Sequence, residues 1–536
     1  MPRGSEHGIC HAVDAVLLMR IFPLVSCLVA GATLSGGAGL GAQAVERTDV
    51  PARGVLRVTF DPRIMTWNDE FTDQGRVRLG APLSGDTIGS RYIPVLARME
   101  QNARLASGLG GFVANLGAGL LSAYQERRTY PVKAEVGLTQ RLSLSLMVPI
   151  VRVTTRTAFQ LSRVGQNLGL NPRLKGADAA YATFFTQFQG SLQQLDQNIS
   201  AGQYGCAGNA PCAARDSSAY WHSVFTALHD MAYGVGPPGS PGSPFLPLDS
   251  TVAGRAIDTT VARIGRDMAS APFGVGGFSG PFLLPTDSLT GDLVAAAIVD
   301  SAIGFGYTHL PFRDDYRYGL GDMELAAKYR FMAGPHYRAA FAALVRLPTS
   351  APDSDSDLLR QATGEHRFDL EGQLTQEVLA GPAWLNVAIR AGHARAGTRV
   401  RRVAPPDAFL VPAAATSTLR WEPGDYLGVD IAPLIQLAPE FAAGFTAGYW
   451  TKASDHYAFL SPQDSVALAT RLGAPTAASV LDQGTSQRRV RLGFAATYHG
   501  PTLEGGFSVE QTVSGAGRVP GATVYRLVLR LVRRLF

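Results

Sequence analysis

The sequence predicts an all-β fold: an antiparallel transmembrane β-barrel of about 12 strands, within a range of about 10–14, with a helical insertion between strands. Three observations predict it. Apolar and polar residues alternate with a period of two along many segments, the pattern of strands whose two faces meet different surroundings. Short and long connections alternate along the chain, as in bacterial barrels with short periplasmic turns and longer outer loops. An export signal opens the chain, and no later apolar run is long enough to cross a membrane as a helix, so any crossing falls to strands.

The export signal is read from Met19, in MRIFPLVSCLVAGATLSGGAGLGAQA. Arg20 precedes an uncharged run, and small residues lead to Ala42-Gln43-Ala44, an A-x-A site that predicts cleavage after Ala44 and makes residues 1–44 a Sec-type signal peptide. Asp14 fits such a signal badly, which places the true start at Met19. Glycines weaken the second half of the run as a membrane anchor, and Leu24-Val25-Ser26-Cys27 matches a lipoprotein box only loosely. Composition permits a barrel without deciding for it: 536 residues, 46% hydrophobic and 17% charged, would also suit several soluble domains. A net charge of +5, with no basic stripe interleaved with aromatics, predicts no nucleic-acid partner. Cys10 and Cys27 leave with the leader, and Cys206 and Cys212, in CAGNAPC, predict a small disulfide loop in an exported protein.

In chain order, residues 45–154 hold the first barrel strands and a first long loop. A strand around 54–68 runs outward, and 70–130 reads as loop. In PVKAEVGL (131–138), Lys133 and Glu135 oppose Val132, Ala134, Val136 and Leu138; RLSLSLMV (141–148) alternates in the same way. Residues 155–300 read as a mainly helical insertion that either caps the barrel or plugs its lumen. There Phe184, Phe188, Leu192, Leu195 and Ile199 share one helix face, Trp221, Val224, Phe225 and Leu228 a second, and 252–268 a third helix. Residues 301–536 supply the remaining strands. Short turns lie near 331–336, 379–382, 437–441 and 498–502, with long connections between them. The last strand, VYRLVLRLVRRLF, ends on Phe536, an aromatic terminus that resembles the signal read by the barrel-assembly machinery. Arg533 breaks its apolar face, and a bulge near 532 would restore the phase.

If one face meets lipid, the other lines a wet lumen. In GLGDMELAAKYRF (319–331), Asp322, Glu324, Lys328 and Arg330 fall on the inner face. The same parity sends Arg338, Arg346, Glu371, Arg491, Glu504, Glu510, Arg526 and Arg530 inward. Both signs are present, so these charges either pair across the lumen or flank an open path and set its selectivity. Arg395, Arg399, Arg401 and Arg402 cluster in an outer loop and suit lipopolysaccharide phosphates or a solvated face. Metal and cofactor sites are not expected: the histidines lack paired ligand spacing, and Asp353, Asp355 and Asp357 lack the Gly and the closing Glu of a calcium loop.

Three segments resemble one family. GLTQRLSLSLMVPIV (137–151), GLGDMELAAKYRF, and RLPT (346–349) followed by TGEHRFDLEGQL (363–374) are similar, in order, to hairpins of outer-membrane barrels of the phenol meta-cleavage-pathway type, akin to long-chain fatty-acid channels. Ser350 stands where that pattern has Gly. The export signal and the loop pattern predict residence in the bacterial outer membrane among lipid and lipopolysaccharide, and the lack of a catalytic motif predicts no enzymatic activity. The resemblance implies passive passage of a small, apolar or aromatic solute whose identity it does not give. Two other readings stand beside it: a non-conducting surface barrel whose outer loops bind or adhere, and an outer-membrane lipid hydrolase, for which His393 has no identifiable partner.

Overall fold

The computed structural model describes residues 46–534 apart from 207–211, 236–241, 279, 309–311, 313, 359–361 and 501–502. The expected signal peptide, the expected cleavage after Ala44, the expected start at Met19 and the terminal Phe536 lie outside the described residues. The chain forms a closed 12-stranded antiparallel barrel. Its strands are β1, in two pieces Val55–Phe60 and Arg63–Trp67, β2 Ala118–Gly137, β3 Leu142–Ser162, and β4, in two pieces Asp315–Leu320 and Met323–Ala333. Then follow β5 Tyr337–Leu347, β6 Asp369–Ala380, β7 Ala383–Ala394 and β8 Tyr426–Ala438. The last four are β9 Phe441–Lys452, β10 Gln487–His499, β11 Leu503–Ala516 and β12 Thr523–Arg534. Each strand pairs with its neighbour in sequence, and β12 closes on β1 with Val55 opposite Arg534. Pro62 has no N–H to give a ladder, and β1 is interrupted there.

The outer wall is apolar. Phe445 is 72% exposed, Leu437 66% and Leu531 59%. Rows of exposed Leu, Ile, Phe and Tyr around a soluble protein would drive aggregation; around a closed barrel they meet lipid. Among the described residues, no helix is long and apolar enough to cross a membrane. A barrel with such a band is how strands span the bacterial outer membrane, and the short turns mark its periplasmic end. Arg533 needs no bulge. The register of β12 runs unbroken from Arg534 to Leu529 against β1, and Arg533 lies opposite Leu56 at the periplasmic rim, where a charge costs about 0–1 kcal/mol.

Two boundaries differ from the sequence reading. β2 starts at Ala118, inside the predicted loop 70–130, and β3 continues to Ser162, inside the predicted insertion. The two pair from Ala118–Ser162 down to Gly137–Ser143. Their outer halves rise above the lipid, so the outward residues become mostly polar, with Arg128, Glu126 and Ser122 on β2 and Arg152, Thr154, Arg156 and Gln160 on β3, and buried apolar residues such as Leu121 and Val153 turn inward. Loop 70–117 also holds α1, Val95–Ser107.

Beyond the barrel's outer end sits a helical cap built from α1, α2 Asp178–Ser200, α3 Ala213–Tyr233, α4 Val252–Ala269 and α5 Gly291–Val299. Phe184, Phe188, Leu192, Leu195 and Ile199 of α2 are all buried in one core with Trp221, Val224 and Leu228 of α3 and Ile257, Val261 and Ile264 of α4. Helix starts are satisfied by side chains: Thr251 accepts from Gly254 N at 3.1 Å, and Cys212, bonded to Cys206, accepts from Arg215 N at 3.4 Å. A small three-stranded sheet of 397–402, 416–422 and 456–459 extends the outer rim beside α6, Pro462–Leu472.

Candidate transport lumen

The strand parity that turns apolar groups to lipid turns charges inward, and the structure collects them around one cavity of about 400 Å³ in the barrel. Ten basic and eight acidic side chains line it. Among the described residues none between Arg152 and Leu320 lines it, so the helical insertion does not reach this cavity.

Of the sequence-derived candidates, Asp322, Glu324, Lys328, Arg346, Glu371, Arg526 and Arg530 line the cavity. Arg346 is a hub: its guanidinium lies 2.8 Å from Glu324, 2.8 Å from Asp369 and 3.7 Å from Glu371. Tyr426 donates to Glu371 at 2.6 Å. Arg526 grips Asp61 through two bonds of 2.7 Å, and Arg63 reaches the same carboxylate at 2.6 Å. Arg491 and Glu510 sit away from the cavity, paired at 2.8 Å, with Arg491 also bound to Asp430 at 2.8 Å. Glu504 meets Arg530 at 3.7 Å. Arg330 and Arg338 belong to the periplasmic rim: Arg330 donates to Gln140 O at 3.0 Å, and Arg338 lies opposite Glu377. They do not line the cavity, because they flank the turn joining β4 to β5, Arg330 just before it and Arg338 just after.

The sequence reading missed the element that occupies the periplasmic half of the lumen. Residues 46–50, ahead of β1, fold back inside the barrel. Asn386 Nδ2 donates to Glu46 O at 2.7 Å, and Lys328 Nζ to Arg47 O at 2.9 Å. Thr48 gives both its N–H and its hydroxyl to the Glu377 carboxylate, at 3.0 and 2.8 Å. Asp49 is held by Arg47 at 3.1 Å and Arg57 at 2.5 Å. Thr48 is fully buried. The segment is too short for any periodicity, and the one clue to it in the sequence is the charge of both signs at Glu46, Arg47 and Asp49. The cavity also draws on Arg57, Asp61, Arg63, Arg127, Glu365 and Arg390. Arg57, Asp61 and Arg63 lie in the predicted first strand, 54–68.

At the outer end, Asp322 closes the cavity. It sits where β4 breaks, and its carboxylate accepts from the backbone N–H groups of Ser350 at 3.1 Å, Glu365 at 2.8 Å and His366 at 3.1 Å. Arg127 donates to Thr363 O at 2.7 Å. Ser350 and residues 363–366 are thereby drawn onto the wall break, and the Ser350 hydroxyl accepts from His366 N–H at 3.1 Å.

The arginines of the outer loop have structural work. Arg401 and Arg402 are buried. Arg402 donates to the carbonyls of Phe305 and Gly306 at 2.6 and 2.8 Å, Arg401 pairs with Asp353 at 2.9 Å, and Arg399 lies 3.4 Å over the Trp421 ring. That corrects the reading of Arg399, Arg401 and Arg402 as phosphate ligands or a solvated face. His393 pairs with Asp425 at 2.7 Å, and among the described residues no hydroxyl completes a nucleophilic arrangement with them. Among the described residues no cluster of three or more His, Cys, Asp or Glu could hold a metal ion.

No family model matches the chain, and no curated protein does. Solved structures of similar architecture include an outer membrane channel from Pseudomonas putida F1, at 7% identity and a TM-score of 0.41, covering 91% of this chain and 100% of that one. The Pseudomonas putida toluene transporter TodX aligns at 10% identity and a TM-score of 0.24, over 91% of this chain and 90% of that one. A Pseudomonas aeruginosa FadL homologue aligns at 9% identity and a TM-score of 0.23, over 90% of each chain. Likeness at this level says nothing about what passes through the barrel.

Proposed function

We propose that the chain is a passive outer-membrane channel for a small solute, held shut at rest by its own N-terminal segment. The observation that carries this is the set of bonds from Asn386, Lys328 and Glu377 to residues 46–48 inside the lumen. A cavity of about 400 Å³ sits at the small end of ligand-sized spaces. A non-conducting surface barrel has no need of a bonded segment that ends below such a cavity.

The solute class the sequence resemblance implies, apolar or aromatic, constrains the route. Stripping water from the charged wall of the cavity to seat an apolar molecule leaves those groups poorly solvated, which is costly. Such a solute therefore does better to leave through the barrel wall than to follow the axis past Thr48, whereas an ion would take the axial path. The test is uptake by proteoliposomes of a small aromatic probe and of a sugar of equal size, for the full mature chain and for a chain that begins at Pro51. The proposal expects the aromatic probe to enter with both chains, and the sugar only after the truncation. If neither solute enters with either chain, with folding confirmed by heat-sensitive gel mobility, the surface-binding reading takes its place.

A further inference from the structure

On the lipid side of the wall, two adjacent strands change from apolar to charged in the same row. On β3 the outward series Leu142, Leu144, Leu146, Val148, Ile150 gives way to Arg152; on β2 the series Val136, Ala134, Val132, Tyr130 gives way to Arg128. Arg152 stands directly opposite both Arg128 and, on the other side, Tyr318. At about 3.3 Å per residue along a tilted strand, this row lies roughly 25 Å above the periplasmic turn, at the outer edge of the hydrocarbon. One more outward arginine, Arg156, stands two rows higher on β3 and is exposed.

Two like charges facing each other across a ladder are unfavourable, and this pair is only half compensated. Glu126 meets Arg128 at 2.5 Å. The Arg152 guanidinium instead lies 4.9 Å over the ring of Tyr316. Asp314, exposed just before β4, is the other carboxylate on this face, and among the described residues neither Arg152 nor Arg156 has an ion-pair partner. Tyr316 and Tyr318, 63% and 65% exposed, flank the arginines at the depth where aromatic rings suit the membrane interface.

The geometry points to a binding site for the phosphorylated glycolipid of the outer leaflet, with Arg128, Arg152 and Arg156 as phosphate ligands and Tyr316 and Tyr318 against its sugar and upper chains. Guanidinium groups take phosphate oxygens in pairs, and a phosphate between Arg128 and Arg152 removes their repulsion. A lipid is the occupant because the face borders hydrocarbon, and the outer leaflet because the row lies at the cap end. The inference rests on the membrane-spanning barrel and is independent of transport.

Native mass spectrometry of the full mature chain tests it, with lipid A, dephosphorylated lipid A and inorganic phosphate as separate probes. The wild type is expected to retain lipid A in strong preference to the dephosphorylated form, and not to retain inorganic phosphate at the same concentration. The double variant Arg152→Gln/Arg156→Gln is expected to lose about thirtyfold in lipid A retention, from roughly fivefold per surface arginine. Arg488→Gln, an exposed arginine at the other side of the rim, leaves retention unchanged. Heat-sensitive gel mobility confirms folding, and Arg152→Lys/Arg156→Lys serves as a second variant with an intermediate loss. The site is overturned if the glutamine variant holds lipid A as the wild type does, if removal of phosphate leaves wild-type retention unchanged, or if inorganic phosphate alone binds as well.

Discussion

The lumen and the cap solve the same packing problem with opposite chemistry. In the cap, Phe184, Phe185, Phe188, Phe278 and Phe282 make edge-on and tilted ring contacts with centroids 4.4–6.2 Å apart, inside a core that is almost wholly apolar. In the lumen, space is filled by carboxylates and guanidinium groups in chains such as Glu324–Arg346–Asp369. The cap buries its interior from water and gains from apolar burial. The lumen keeps water within reach, so its contacts can be exchanged for hydration, and an element bound there can leave.

That contrast can be broken at either end. The largest effects fall where a group is deeply buried. Phe188→Ala in the cap removes a fully buried ring and is expected to destabilise the cap by about 3–5 kcal/mol. Limited proteolysis would show the cap cut at lower temperature while the barrel's gel mobility is retained. Arg346→Met leaves Glu324 and Asp369 without their shared cation; breaking such a pair costs about 3–5 kcal/mol where burial is deep, and less here because Arg346 is partly exposed. Denaturant unfolding of the barrel should shift accordingly, and Phe188→Leu should shift the cap less than Phe188→Ala does.

Smaller effects sharpen the comparison. Thr48→Ala deletes the hydroxyl bond to Glu377, and losing one partner of a buried bond costs about 1–3 kcal/mol. That loss acts on the seat of the N-terminal segment rather than on the wall, so a cysteine at position 47 should label faster with a water-soluble thiol reagent while thermal unfolding of the barrel changes little. In the cap, His229 lies among Phe185, Phe225 and Tyr233. Burial holds its pKa below the usual histidine value, against the pull of Asp230. A depressed histidine favours the folded cap while neutral, so this contribution is present above the ordinary histidine pKa of about 6.5 and is lost as pH falls below it. Melting of the cap should drop slightly between neutral and mildly acidic pH, and the drop should shrink in His229→Gln.

The same chemistry explains what the sequence disclosed. From 131 to 151 and from 323 to 347, one face meets hydrocarbon and the other water, so the period of two is plain, and parity turns Glu324, Lys328 and Arg346 toward the cavity they line. The spacing of Phe184, Phe188, Leu192, Leu195 and Ile199 revealed a helix for the same reason: one side is apolar. Residues 118–130 and 152–162 were hidden because the polarity of those strands inverts above the membrane: the outward side becomes mostly polar, while Leu121, Ala123 and Val153 turn inward and are buried. The N-terminal segment was hidden because its contacts, Thr48 with Glu377 and Arg47 with Lys328, join residues about 330 and 280 positions apart and leave no local pattern. Arg401 and Arg402 misled for the converse reason: a run of charge suggested solvent, but their partners Asp353 and the Phe305 carbonyl lie far away in sequence.

Single-channel recording in a planar bilayer tests the central claim most directly. The full mature chain and the chain starting at Pro51 would be refolded and inserted side by side. The account predicts long closed intervals for the full chain and steady, larger steps for the truncated one, with Thr48→Ala between them. Identical traces from the two chains, with folding of both confirmed, would contradict it, because residues 46–50 would then not be what closes the lumen.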